Sequence, residues 1–177
     1  ASILFKIDKP TVGILNVGKE DIKGSEEIRI ASDQLKRLND SDAIKYIGYI
    51  EGNDISIGKT NVVVTDGFTG NIALKTAEGT AKLFQSHLKD AFKSSLISRL
   101  GYFLASIQMR SVKERLDPRV HNCGIFMGLN SLVIKCHGQS EYRGVSYAAD
   151  IMFSLLANQV DQKIKKYILK IQDKIAV

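Results

Sequence analysis

Three features of this 177-residue chain predict an α/β fold, with an open, mainly parallel sheet and helices on its faces. Short apolar or β-branched runs end in glycine-bearing turns, each turn leads into a segment of three- and four-residue apolar spacing, and the unit occurs three times. Strands that alternate with helices return in the same direction, because a right-handed crossover lays each helix on a sheet face.

The first unit is the run TVGILN at residues 11–16, closed by Val17, Gly18 and the polar stretch KEDIKG at 19–24. From Ser25 onward Ile28, Ala31, Leu35 and Leu38 recur at helical steps, and Glu26 and Glu27 occupy the first turn, where the helix dipole favours acid. That spacing predicts a helix of about four turns. YIGYI at 46–50 and NVVVT at 61–65 are two further strands, the second of the kind that parallel sheets bury on both faces. After DGFTGN at 66–71, a helix carries Ile72, Ala73, Thr76, Thr80, Leu83, Phe84 and Leu88 toward Lys93. The third unit is SLVIKC at 131–136, the turn HGQS at 137–140 and a helix through Tyr147, Ile151, Phe153 and Leu155. No repeat, Pro-rich linker or low-complexity tract divides the chain. It reads as one lobe over residues 1–177 with a helical insertion at about 94–120.

Composition narrows the function classes. With 44% apolar and 25% charged residues, and 14 Gly against 2 Pro, the chain is globular, neither disordered nor collagen-like. Two cysteines and no apolar run of membrane-spanning length exclude a disulfide scaffold and a spanning helix, and give the cytosol as the expected compartment. The chain opens ASILF, without a methionine or a charged and apolar leader, and so reads as a fragment. Its net charge of +6 is unevenly spread, −2 over residues 1–80 and +8 over residues 81–177. A basic half favours an anionic membrane surface, an acidic protein or nucleic acid. Because the basic residues are not interleaved with aromatics and Trp is absent, no nucleic-acid partner is expected.

In an open parallel sheet the loops that follow the strands gather at one edge, where ligands bind. Three loops are predicted there: 17–24, 66–71 and 137–140. Each holds glycine and runs toward a helix N-terminus, whose N–H groups and dipole attract phosphate or carboxylate. Ending strands and capping helices explains the same glycines. Lys19, Lys23 and Lys135 add cations and Asn71 an amide, all read as uncommitted groups. No Walker lysine, G-x-G-x-x-G or G-x-S-x-G occurs, which argues against a nucleotide kinase, a Rossmann dehydrogenase and a serine hydrolase. His87, His121 and His137 are far apart in sequence and Cys123 and Cys136 make no C-x-x-C, so no metal is expected. Cys136 and His137 are neighbours at a strand end and should face opposite ways, which spoils a dyad; both cysteines read as free, buried thiols.

Residues 94–109 place Leu96, Leu100, Phe103 and Ile107 at helical steps beside Ile97 and Leu104, flanked by Lys89, Lys93, Arg99, Arg110 and Lys113. A continuous helix here would be about 24 Å long, short for a bilayer. The stripe fits a helix lying on anionic lipid, and on pattern alone a core or dimer helix is the favoured reading. Toward the C-terminus Ile164, Ile168, Ile171 and Ile175 form a heptad-like seam for the sheet or for a partner.

Longer motifs carry a family resemblance: TVGILNVG at 11–18 followed by Lys23 and Gly24, NVVVTDGFTGN at 61–71, GLN at 128–130 and IKCHG at 134–138. Together they resemble the bacterial phosphate acyltransferases, which convert acyl-acyl carrier protein and inorganic phosphate into acyl phosphate for phospholipid synthesis. The likeness runs from about Pro10 into the C-terminal helix. It implies a fold similar to that of phosphotransacetylases and isopropylmalate dehydrogenases, a homodimer, no cofactor, and a cytoplasmic protein that binds anionic membrane peripherally. By the same resemblance Lys23 and Asn71 are the catalytic lysine and asparagine, and Thr69, Gly70, Lys135 and His137 contact substrate. Leu96, Ile97, Leu100, Phe103, Leu104 and Ile107 become the membrane-associating set. Two departures stand out. Where the family shows Tyr-Gly-Gly-Ala this chain reads VHNCGIFM at 120–127, and the family's N-terminal half, with its own glycine-rich loops, has no counterpart. The alternative is a noncatalytic lobe that retains phosphate or membrane binding.

Overall fold

The computed structural model describes residues 1–40, 44–115, 123–136 and 142–175. In chain order the elements are α1 (Ser2–Phe5), β1 (Thr11–Leu15), α2 (Glu26–Asp40), β2 (Lys45–Ile50), α3 (Gly52–Ser56), β3 (Val62–Val64), α4 (Gly67–Lys93), α5 (Leu96–Leu104), α6 (Ser106–Arg115), β4 (Cys123–Phe126), β5 (Val133–Cys136), α7 (Tyr142–Ala157) and α8 (Val160–Ile175). They form two compact units, Ala1–Gly70 with Leu155–Val177, and Asn71–Ser154.

In the first unit the β-branched runs pair in parallel, in the order β2-β1-β3. The middle strand is the most buried, with Val12, Ile14 and Leu15 covered there. Gly48, at φ 84°, absorbs an extra residue in β2, so the register passes from Val12 opposite Tyr46 to Ile14 opposite Tyr49. α2 packs on β2, where Ser32 and the Tyr46 hydroxyl share a hydrogen bond of 2.8 Å. Tyr49, Ile50, Leu155 and Val160 complete the buried apolar set of this unit, and α1 packs against α8. The second unit holds most of α4 and α7, the α5 and α6 helices, and an antiparallel ribbon of β4 and β5.

Four expectations change. β3 is half-buried rather than covered on both faces, because it lies at an edge of its sheet with β1 on one side alone. The strand at 131–136 is not a third parallel strand: β5 pairs antiparallel with β4, which places it in a two-stranded ribbon separate from the β2-β1-β3 sheet, and the expected loop at 137–140 lies outside the described residues. The single helix over residues 94–109 is two helices, since Ala105 takes ψ 2° and turns the backbone out of α5 before Ser106 opens α6. The two cysteines are half-buried, because each lies on a two-stranded ribbon.

Candidate functional site

The loop after β1 is organised by Asn16, the residue that ends the strand. Its backbone N–H still donates to the Ile50 carbonyl at 2.9 Å, extending the ladder, while its side chain turns into the loop. There Oδ1 accepts from the Val17 N–H at 2.9 Å and Nδ2 donates to the Lys23 carbonyl at 3.1 Å. Gly24 closes the loop at φ 88°, and any Cβ there would strike Asn16 Oδ1, so both backbone angle and space demand glycine. Lys23 folds back over Gly18, whose missing Cβ leaves room for Nζ, and pairs with Glu20 Oε1 at 2.8 Å. That hydrogen bond from Lys23 holds the Glu20 carboxyl below its ordinary value.

Lys19 points to a different cluster. Its Nζ lies 3.3 Å from Asp54 Oδ2 and 3.6 Å from Glu51 Oε2, and Lys59 Nζ reaches the same Asp54 oxygen at 3.3 Å. Glu51 and Asp54 form the capping box of α3. The Glu51 N–H, then Lys59 and Lys19, hold the buried Asp54 carboxyl below its usual range, and the bond to Asp54 raises Lys19 in turn. Lys19 and Lys23 are therefore paired, not uncommitted as their positions in the sequence suggest.

At the end of β3, Asp66 caps α4: Oδ1 accepts from the N–H groups of Phe68 and Thr69 at 2.9 and 2.8 Å. Hydrogen bonds from Thr69, first from its side chain and then from its N–H, with that from Phe68, hold the Asp66 carboxyl below its ordinary value. The Gly70 N–H donates to the Asp66 carbonyl at 3.0 Å, and a Cβ on Gly70 would meet Thr65 Cγ2 at 2.7 Å. A carboxylate thus already occupies the anion-attracting end of α4.

Because β1 and β3 are adjacent and parallel, the loop bearing Lys23 and the turn bearing Thr69 and Gly70 leave the same sheet edge. The topology thus sets these three expected residues on neighbouring loops at one sheet edge. Asn71 and Lys135 belong to the second unit; both are exposed, and the Asn71 side chain makes no hydrogen bond among the described residues. His137 lies outside the described residues. Sequence reading missed Asn16, Glu20 and Asp66. The first and last were signalled by a polar residue ending an apolar strand ahead of glycine, and the second by its i,i+3 spacing to Lys23.

In the second unit the expected membrane set is open to solvent. Leu96, Ile97, Leu100, Phe103 and Leu104 on α5 and Ile107 on α6 are 62–84% exposed. Ser95 caps α5 by accepting from the Ser98 N–H at 3.0 Å. A groove of about 880 Å³ here is lined by apolar side chains that include Phe92, Tyr102 and Met109 and by the cations Lys82, Lys89, Lys93 and Arg99. The rings of Phe92 and Tyr102 stand 5.1 Å apart. Among the described residues no helix is long and apolar enough to cross a membrane, and no group of His, Cys, Asp and Glu side chains could hold a metal ion.

Residues 1–163 match the family described as fatty acid synthesis protein. The chain belongs to that family. Among curated relatives, the phosphate acyltransferase of Rhizobium etli is 44% identical over 170 residues, 96% of this chain and 49% of its own length. That of Xanthobacter autotrophicus is 46% identical over 166 residues, 94% of this chain and 46% of its own. The phosphate acyltransferase of Rhodospirillum rubrum is 44% identical over 173 residues, 97% and 49% of the two lengths. The chain spans about half the length of the curated relatives it matches. For this member of the fatty acid synthesis family, the polar loops at the parallel edge and the exposed apolar helices are the two surfaces that invite a functional reading.

Proposed function

We propose that the chain forms part of an acyltransferase in which inorganic phosphate attacks the thioester of an acyl-acyl carrier protein. A phosphate oxygen bonds to the acyl carbon, the carbon–sulfur bond breaks, and the carrier's thiolate leaves and takes a proton, so acyl phosphate forms without a cofactor or an enzyme nucleophile. The observation that carries the reading is the shared edge: Lys23 on one loop, Thr69 and Gly70 on the next, from neighbouring parallel strands. The names of the relatives support phosphate as acceptor.

In this reading Lys23 exchanges Glu20 for phosphate and neutralises its charge, while the Asn71 amide donates to the thioester oxygen as it becomes an oxyanion. Thr69, Gly70, Lys135 and His137 line the substrate. α5 lays its apolar face on anionic lipid, with the lysines of α4 and Arg99 nearby for lipid headgroups or for an acidic carrier protein, and the active species is a peripheral-membrane homodimer of the cytoplasm. Its complete sheet is similar to that of phosphotransacetylases and isopropylmalate dehydrogenases.

The test uses the full-length protein. Asn71→Ala lowers acyl phosphate formation by roughly 10²–10³, the loss of one oxyanion donor, and Lys23→Met raises the phosphate KM while carrier-protein binding stays as in the parent. Asn71→Ala activity within about twofold of the parent removes Asn71 from the mechanism, and a collapse of carrier binding in Lys23→Met moves Lys23 to the partner surface.

A further inference from the structure

The β4–β5 ribbon sets the chain's two cysteines directly opposite one another, Cys123 against Cys136. Burial alternates in step on both strands: Cys123 and Ile125 face Cys136 and Ile134 on the half-buried side, and Gly124 and Phe126 face Lys135 and Val133 on the exposed side. Both thiols therefore project from the same face of one ladder rung. Directly opposed residues of an antiparallel pair have Cα atoms about 4.5 or 5.5 Å apart. A disulfide needs about 4.4–6.8 Å, so either spacing admits the bond without moving the backbone. Burial first, and the nearby Cys136 second, hold the Cys123 thiol above its ordinary value. Neither is sealed in a core, which leaves a small oxidant access.

We propose that Cys123 and Cys136 are a reversible disulfide site, oxidised by a low-molecular-weight disulfide of the glutathione type. One cysteine thiolate attacks a sulfur of glutathione disulfide and expels a glutathione thiolate. The other, deprotonated, then attacks the mixed disulfide at the first cysteine's sulfur and expels the second. Two protein thiols lose two electrons and two protons, and the oxidant leaves as two glutathione thiols. The bond staples β4 to β5 next to Lys135, and so fixes the strand on which that candidate substrate residue stands. In a reducing compartment such a pair is reduced at rest and closes under oxidative load.

The experiment treats the reduced full chain with glutathione disulfide, removes the excess, denatures the protein, adds a maleimide, and maps the peptides by mass spectrometry. The expected product has lost the mass of two hydrogens, carries no maleimide at either cysteine, links the Cys123 peptide to the Cys136 peptide, and regains both thiols with dithiothreitol. Cys123→Ser, checked for native circular dichroism, gives only a glutathione adduct at Cys136. Two maleimide adducts after oxidation overturn the proposal. So does a product with glutathione on both cysteines, or a disulfide between two chains.

Discussion

Replacing Asn16 tests whether one buried amide builds the Lys23 loop. The residue is 7% exposed, and its side chain makes two hydrogen bonds, to the Val17 N–H at 2.9 Å and the Lys23 carbonyl at 3.1 Å. Asn16→Ala removes both and leaves the Val17 N–H and the Lys23 carbonyl to recruit water. At about 1 kcal/mol net per bond the loss is about 2 kcal/mol. For a chain of this size that lowers the melting temperature by about 4–8 °C. Asn16→Asp separates hydrogen bonding from volume, because it is isosteric and keeps the acceptor for Val17. Its second oxygen, however, faces the Lys23 carbonyl, acceptor against acceptor, and brings a part-buried charge. Asn16→Asp should therefore melt at least as low as Asn16→Ala at neutral pH and recover part of the loss as acid protonates it. Circular dichroism melts of the three proteins supply the measurement. An Asn16→Asp variant within about 1 °C of the parent at neutral pH would refute the reasoning, since it would mean that the donor to Lys23 contributes nothing.

Two further outcomes follow from the geometry. Leu100 is 62% exposed, so Leu100→Glu should leave the melting temperature almost unchanged yet abolish sedimentation with anionic vesicles at low salt; a parent that never binds, or a variant that still does, defeats the lipid reading. The folded-state pKa of Asp66 is depressed by its bonds from Thr69 and Phe68, so its contribution to stability is complete above the ordinary unfolded value of about 4 and is lost as pH falls below that toward the folded value. Melts over that acid range should fall less steeply for Asp66→Asn, which keeps a helix cap without the titration, than for the parent.

The first three strands and α2 were legible because their signals are local. A β-branched run ending at glycine is a strand wherever it pairs, and Glu26 and Glu27 ahead of a helical stripe mark a helix start. Pairing direction is not local. Residues 133–136 look like the other strands, and only the presence of CGIF at 123–126 as a neighbour decides that they run antiparallel. That short run, split by Gly124, carries too weak a pattern to be read as a strand beforehand. The break at Ala105 escaped for a related reason: apolar spacing across residues 96–107 continues at helical steps, while the chain turns at a residue with high helix propensity. Side-chain commitment is the least legible level. Lys19 and Lys23 look alike in sequence, yet one is tied to α3 through Asp54 and the other to its own loop through Glu20.

That difference in commitment changes how an anion can be held at the parallel edge. From sequence alone, the natural donors are the N–H groups at the start of α4, but Asp66 has already engaged those of Phe68 and Thr69, and its negative charge opposes a second anion there. Lys19 is a poor substitute, because it serves a buried carboxylate that would be left less satisfied if the lysine turned away. Lys23 differs on each count. Its partner is half-exposed, lies three residues away on the same loop, and can swing into water at little cost, since such surface pairs are weak and screened by salt. In the proposed reading a phosphate takes the place of that carboxylate, and the loop beneath Lys23 keeps its anchor because Asn16 holds the Lys23 carbonyl rather than its side chain. Among the groups at this edge, Lys23 is thus the cation with a fixed backbone and an exchangeable partner, the combination that reversible binding of a small anion requires.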